Sequence, residues 1–126
     1  MSTPDDRRYS ESHEWHKLEG DTVTIGISQF AVEELTDITY VEVERQEGHI
    51  DKGEAFGEIE SVKATSELYA GVAGEIVEVN QDVLDDPSLI NQDPFGKGWI
   101  IRIKPDDPAE VDQLLAAADY EQKQGG

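Results

Sequence analysis

The sequence predicts a mostly β protein: a flattened barrel or sandwich with short peripheral helices and a C-terminal helix. Three observations predict it. Short runs that alternate apolar and polar residues recur along the chain. Turn signals separate them at close spacing. The helical patterns are brief and lie between or after the strands. At 126 residues the chain is expected to form one domain spanning 1–126, with an ordered core from about residue 9 to residue 120.

The elements follow in order. "DTVTIGIS" sets Val23, Ile25 and Ile27 on one face and Thr22, Thr24 and Gly26 on the other. Ser28 then caps a two-turn helix through "QFAVEELT", with Ala31 and Leu35 one turn apart. "TYVEVE" sets Val41 and Val43 against Glu42 and Glu44, and "QEGHIDKG" at 46–53 reads as a turn that includes His49. "AFGEIESV" is a further strand, and "GEIVEVN" sets Val77 and Val79 against Glu78. The likeness of "GEIE" at 57–60 to "GEIVE" at 74–78 predicts two similar strands flanking a turn, with residues 63–65 at the tip. In "DDPSLIN", Asp86 is the cap and Pro87 the first helical residue. "DPFGKG" at 93–98 is a turn, and "GWIIRIK" sets Trp99, Ile101 and Ile103 against Arg102 and Lys104. The last helix starts at the Asp107 cap, with Pro108 next and Glu110 at the capping-box position. Val111, Leu114, Leu115 and Ala118 form its apolar stripe, expected to pack onto the domain.

Composition excludes several kinds of chemistry. With no cysteine there is no disulfide, zinc–thiolate site or cysteine nucleophile, so sulfur chemistry must come from a cofactor. Against 29 acidic residues stand 10 basic ones, a formal charge of -19 that repels phosphate backbones and argues against nucleic acid. The acid excess is spread along the chain, which reads as adaptation to high salt, with steering toward basic partners as the alternative. No apolar run reaches membrane-spanning length, and "MSTPDDRRYS" lacks the apolar centre of a secretory signal. A cytoplasmic protein of a prokaryote is expected, with the mitochondrial matrix as the place only of a processed eukaryotic form. His13 and His16, in "HEWH", fall on opposite faces of an alternating strand and do not share a metal. "GKG" at 96–98 lacks the phosphate-loop pattern, and Asp85/Asp86 and Asp106/Asp107 precede prolines as helix caps.

One basic residue has a singular place. Lys63 lies between the two Gly-Glu-Ile copies, flanked by Val62, Ala64 and Thr65, which are small or apolar and leave its amine open to an enzyme. A lysine at a hairpin tip protrudes, and acylation turns its stem into a long neutral tether. Taken alone, an exposed lysine in a turn reads as an ordinary solvated charge.

Motifs across the chain decide between these readings. "ESVKA" followed by "SELYAGVAGEIVEVN" resembles the lipoyl-attachment region of the glycine cleavage system H proteins. "YSESHEWHKLEGDTVTIGIS" resembles that family's opening, with Ser12, His13, Glu14 and Trp15 as its Ser-His-Glu-Trp motif. "LDDPSLINQDPFGKGWIIRIKP" resembles its C-terminal half, with Asn91, Pro94, Gly98 and Trp99 in place, and "DPAEVDQLLAAADYEQ" resembles its closing helix. The chain departs from the family pattern at Gly71, usually proline, at Thr36, usually glycine, and at Glu67, usually aspartate.

The resemblance implies a lipoyl/biotinyl-like barrel-sandwich hybrid and a carrier with no catalytic activity of its own. It places lipoate in amide linkage on Lys63, within a modification motif of Glu60, Ser61, Val62 and Ala64. It implies three partners: the pyridoxal-phosphate-dependent P protein, which decarboxylates glycine; the T protein, which passes the one-carbon unit to tetrahydrofolate; and the L protein, dihydrolipoamide dehydrogenase. A lipoate ligase or a lipoyl/octanoyl transferase must load the lysine. It also implies that Ser12, Glu14 and Glu67 shelter the aminomethyl cargo. A lipoyl relay that donates lipoyl groups to other complexes would use the same lysine and is the alternative. A biotin carrier is disfavoured because Val62 and Ala64 replace its two methionines.

Overall fold

The computed structural model describes residues 4–125, with side chains to residue 122; Met1–Thr3 and Gly126, which the 1–126 domain expectation includes, lie outside the described residues. Nine strands form two sheets whose neighbouring strands all pair antiparallel. Strands β1 (Arg8–Tyr9), β2 (Glu14–Glu19), β3 (Thr22–Ile27), β4 (Ile38–Val43) and β5 (Gly48–Ile50) come first. They are followed by β6 (Ala55–Ser61), β7 (Thr65–Tyr69), β8 (Gly74–Val79) and β9 (Ile101–Pro105). The larger sheet runs β1-β2-β3-β9-β8-β5 and the smaller β4-β6-β7. Helices α1 (Gln29–Leu35), α2 (Gln81–Asp85), α3 (Ser88–Gln92) and α4 (Ala117–Gly125) lie between and after them.

The expected alternation builds the core. Val23, Ile25 and Ile27 of β3, with Val41 and Val43 of β4, are buried in one cluster with Phe56, Ile59, Leu68, Ile101 and Ile103. Burial of apolar area on this scale is the main favourable term in folding. The outer face of β2 and β3 carries a second cluster of Tyr9, Trp15, Ala117 and Tyr120. Gly26 pairs with Trp15 in register, and a Cβ there would lie 2.7 Å from the indole, so the ring needs a glycine beneath it. Tyr9 and Tyr120, the ends of the expected core, stack at 4.7 Å.

Ser28 and Asp107 cap as the sequence predicts, whereas α3 begins at Ser88 with Pro87, not Asp86, at its cap position, and the Asp86 side chain reaches the helix at Ser88. Ser28 Oγ accepts from Ala31 N at 3.2 Å, Asp86 Oδ1 from Ser88 N at 3.2 Å, and Asp107 Oδ1 from Ala109 N at 3.0 Å.

Several expectations are corrected. The strands flanking Lys63 are β6 and β7; the second Gly-Glu-Ile run is β8, which sits in the other sheet between β5 and β9. Val77 does not share a buried face with Val79. The β8–β9 register shifts between Ile76 and Glu78, so Ile76 turns inward and Val77 is 53% exposed. Trp99 precedes β9 and lies on the outer face, under the Arg102 guanidinium at 4.0 Å. The C-terminal helix is broken: Pro108–Gln113 is a 3-10 turn, and Leu115 is extended, exchanging both backbone bonds with Tyr9 at 2.8 Å. Glu110 reaches Ala73 N at 3.0 Å rather than closing a capping box, and Ala117, not Ala118, is buried. His49 belongs to β5, and its Nε2 meets Asp106 Oδ2 at 2.6 Å. Helix α2, capped by Asn80, has no counterpart in the expectation.

The departures at Gly71 and Thr36 have structural consequences. His16 is fully buried and its Nε2 accepts the Gly71 amide at 2.9 Å, a bond that proline could not donate. Thr36 ends α1 at φ 62°, a backbone region that β-branched residues rarely adopt.

Two stability predictions result. Burial lowers the His16 pKa from 6.5 to about 4. Above 6.5 neither folded nor unfolded chain protonates this ring. Between 6.5 and 4 only the unfolded chain does, so His16 removes stability as pH falls, by about 3 kcal/mol in all. His16→Gln should flatten the unfolding free energy against pH across that window in denaturant titrations. Thr36→Gly should relieve the positive φ and raise stability by about 0.5–1 kcal/mol, read from the denaturant midpoint.

Candidate functional site

Lys63 occupies the tip of the β6–β7 hairpin. The tip is tightly fastened. Ser61 Oγ accepts from the amides of both Lys63 and Ala64 at 3.1 Å and donates to the Ala64 carbonyl at 3.1 Å. Ser61 N donates to the same carbonyl at 2.8 Å, and Val62 N donates to the Asp37 carbonyl at 3.1 Å. Val62 is thereby held outward, 67% exposed, beside the exposed Lys63 and Ala64. Among the described residues no hydrogen bond or ion pair engages the Lys63 amine. Glu60, at the end of β6, is exposed on the outer face, opposite Thr65. The motif residues Glu60, Ser61, Val62 and Ala64 therefore act in different ways: Ser61 shapes the tip, and the others surround the lysine.

A cleft of about 110 Å³ opens beside β7. The three residues expected to shelter a cargo, Ser12, Glu14 and Glu67, all line it. Glu14, the first residue of β2, is 1% exposed. Its Oε1 accepts from the Ser10 hydroxyl at 2.6 Å and from the Ser12 hydroxyl, while its Oε2 accepts from Tyr69 N at 3.0 Å. Burial pushes the Glu14 carboxyl above the usual range, and these donors partly offset the shift. Glu67 is exposed on β7 and accepts from the Tyr69 hydroxyl at 3.1 Å. The strand carries Ser66 and Glu67 three and four residues past Lys63, roughly 10–13 Å along an extended chain.

Other parts of the cleft escaped the sequence reading. Ala31 and Leu35 of α1 line it, and Glu34 shares their face. The Ala31–Leu35 spacing carried that signal, since a residue three past Ala31 falls on the same stripe. His13 also lines it, with its backbone at φ 78°. No alternation rule marks a residue in that conformation.

The lining thus joins apolar Ile27, Ile59 and Leu68 to three carboxylates and two serine hydroxyls, without a lysine or arginine. Burial also lowers the His13 pKa below its ordinary value, against the pull of Glu34. An acidic, partly apolar cleft of this size suits a small cation on a short apolar stem. On the outer face of the same sheet Glu42 pairs with Glu58 and Glu58 with Glu67. Desolvation and the charges of Glu42, Glu44, Glu60 and Glu67 push the Glu58 carboxyl upward.

A rigid two-sheet barrel that displays an unpaired lysine on a clamped hairpin defines a carrier domain. Comparison with known proteins gives the particular kind. The family described as glycine cleavage H-protein matches residues 7–125. A glycine cleavage system H protein of Staphylococcus carnosus is 46% identical over 99% of both chains. One of Bacillus licheniformis is 50% identical over 96% of this chain and 95% of its own length. The crystal structure of a glycine cleavage system H protein from Mycobacterium marinum superposes with a TM-score of 0.89 at 38% identity, covering 98% of this chain and 100% of that one. The chain belongs to the glycine cleavage H-protein family, whose members are lipoyl carriers and non-catalytic components of the glycine cleavage system. The barrel-sandwich fold expected from the sequence is the fold found. Among the described residues no helix is long and apolar enough to cross a membrane.

Proposed function

We propose that Lys63 carries lipoate in amide linkage, and that the chain, one domain over 1–126, ferries the aminomethyl group of glycine between the enzymes of the cleavage system. The observation that carries this reading is the placement of Lys63: exposed and unpaired at a clamped tip, one short strand away from an acid-lined cleft. Held on Lys63, lipoate would supply a sulfur able to take up an aminomethyl group at the P protein and give it up at the T protein, with reoxidation of the dithiol left to the L protein.

The residues present fit such a group. The apolar wall of Ile27, Leu35, Ile59 and Leu68 suits a thioether stem, Glu14 and Ser12 suit an ammonium head, and Glu67 adds its charge from the outer edge of the cleft. In water an aminomethyl thioether loses ammonia readily. A cleft that holds the nitrogen as an ammonium ion withdraws the lone pair that would expel the sulfur, and it excludes the water that completes the loss. Glu14 serves this best, because its carboxylate is anchored by three donors and does not have to reorganise around the cation. Ser61 holds the tip in the shape that a lipoate ligase or a lipoyl/octanoyl transferase would meet, with Val62 and Ala64 offering apolar contact and Glu60 a charge. We place the carrier in the cytoplasm.

Intact mass decides the attachment. Expressed in lipoate-competent cells, the parent should gain one lipoyl group, and Lys63→Arg none. Offering the parent glycine and P protein should then add the aminomethyl mass. A chain that lipoylates but never loads would be the relay that passes lipoyl groups to other complexes, and the shuttle reading would fall. Glu14→Gln keeps the size of the side chain but removes its charge and turns one of its two accepting oxygens into a donor. It should leave lipoylation intact and speed ammonia release from the loaded protein by about tenfold. An unchanged release rate would remove Glu14 from this role.

A further inference from the structure

His13 is left without a task by everything above, although it is one of the more constrained residues in the chain. Its φ of 78° is held from three sides. His13 N donates to the Ser10 carbonyl at 3.1 Å, its carbonyl accepts from Ser28 N at 2.9 Å, and Nδ1 lies 2.7 Å from the Tyr120 hydroxyl. Strain of this kind persists only where its surroundings over-determine it, and it gathers at functional sites. Tyr120 comes from α4, remote in sequence from every other part of the cleft. It is buried, stacked on Tyr9, and its hydroxyl also lies 2.6 Å from Ser28 Oγ. A single hydroxyl therefore joins His13, whose ring centre lies 4.9 Å from that of Phe30, to the cap of α1, whose Ala31, Glu34 and Leu35 also line the cleft.

Counting donors sets the direction of this chain. Ser28 Oγ already accepts from Ala31 N, and among the described residues its own proton has no acceptor other than Tyr120. The Tyr120 proton is then free for His13 Nδ1, and the ring carries its hydrogen on Nε2. Nε2 has no partner among the described residues, in a cleft whose charged groups are Glu14 of β2, Glu34 of α1 and Glu67 of β7.

We propose that Tyr120 is a positioning residue for the cleft: it holds His13 as the Nε2–H tautomer, and that proton, unpartnered among the described residues, is the donor that meets the Glu34 carboxylate of the lining once a cationic cargo enters. This deepens the carrier reading and rests on it. His13 remains neutral near neutral pH because burial disfavours its charged form, so it donates without adding a competing positive charge.

The tautomer is read on the unmodified protein, by long-range proton–nitrogen correlation of the 15N-labelled histidines near neutral pH. The expected result is an unprotonated Nδ1 at His13 in the parent and a mixture of tautomers in Tyr120→Phe. A protonated Nδ1 in the parent overturns the proposal. On the lipoylated, glycine-loaded protein, Tyr120→Phe should release ammonia about two- to tenfold faster, the effect of losing one hydrogen bond between neutral groups. His13→Asn should do the same; asparagine is chosen because it tolerates the left-handed backbone. A lower melting temperature with the parent's tautomer and release rate would mark Tyr120 as merely structural, and would overturn the assignment. If the parent takes up no lipoate or no cargo, the carrier reading fails first. The tautomer, measured without either, still decides the Tyr120–His13 half.

Discussion

The buried carboxylate of Glu14 is the interaction on which the rest of the site depends. It belongs to β2 of the larger sheet, yet one of its oxygens accepts the amide of Tyr69 at the end of β7 in the smaller sheet. An ionised carboxylate withdrawn from water costs several kcal/mol unless hydrogen bonds replace its hydration. Two serine hydroxyls and one amide do so here. Because β7 is an edge strand, paired on one side only to β6, this crossing bond fixes its free end. Fixing β7 in turn fixes the hairpin, and with it the distance from Lys63 to the cleft. The group that joins the sheets is thus also a group that lines the cleft.

The same segment shows where stability is given up. His13 adopts a left-handed backbone, Glu14 is a buried acid and His16 a buried base, all within one short stretch of chain. Among the described residues His16 Nδ1 has no hydrogen-bond partner, so even the structural histidine is incompletely satisfied. Such departures from local preference cost of order 1–3 kcal/mol each, and they are tolerated where surrounding packing is firm. The firmness comes from Trp15, whose indole lies on Gly26 and donates to the Pro94 carbonyl at 2.9 Å. It comes also from the Tyr9–Tyr120 stack. The aromatic cluster on the outer face of the larger sheet braces a strand that carries the site on its inner end.

Much of this was legible in the sequence, and the failures have identifiable causes. Alternation placed Val23, Ile25, Ile27, Val41 and Val43 correctly because those strands are regular and their apolar faces meet one core. It failed at Val77 because one extra residue inverts every position before or after a bulge. It failed at Trp99 because the outer face of β9 is also covered, so an apolar residue there does not mark the inside. The paired Gly-Glu-Ile runs suggested a hairpin, but strand partners are chosen by register and turn length, and β7 is the nearer partner. The last helix was misread because Leu115 satisfies its backbone on Tyr9, a contact between the chain's two ends that no local pattern announces. Of the site, Lys63, Ser12, Glu14 and Glu67 came from motif resemblance, and the cleft gathers the last three. His13, Glu34 and Tyr120 were not found, since their proximity depends on the closing of the two sheets and the docking of α4.

The charge pattern separates two kinds of attraction. Glu42, Glu58 and Glu67 stand directly opposite one another across β4, β6 and β7, an arrangement that repulsion disfavours. Exposed charges of this kind act over roughly 10 Å at 0.1 M salt and fade as salt rises. They give the face bearing Lys63 a field that draws basic surfaces toward the amine. Acylation removes the positive charge at the tip, so the same face becomes more negative once the arm is made. Under the proposed carrier reading, a cation on that arm would be drawn back along β7 by the surface acids, and its final hold would be on Glu14, which is buried from solvent ions. Capture by the face is therefore sensitive to salt, whereas retention in the cleft is not. A chain carrying so large a surplus of surface acid can keep its cargo in high salt only if retention rests on the buried carboxylate.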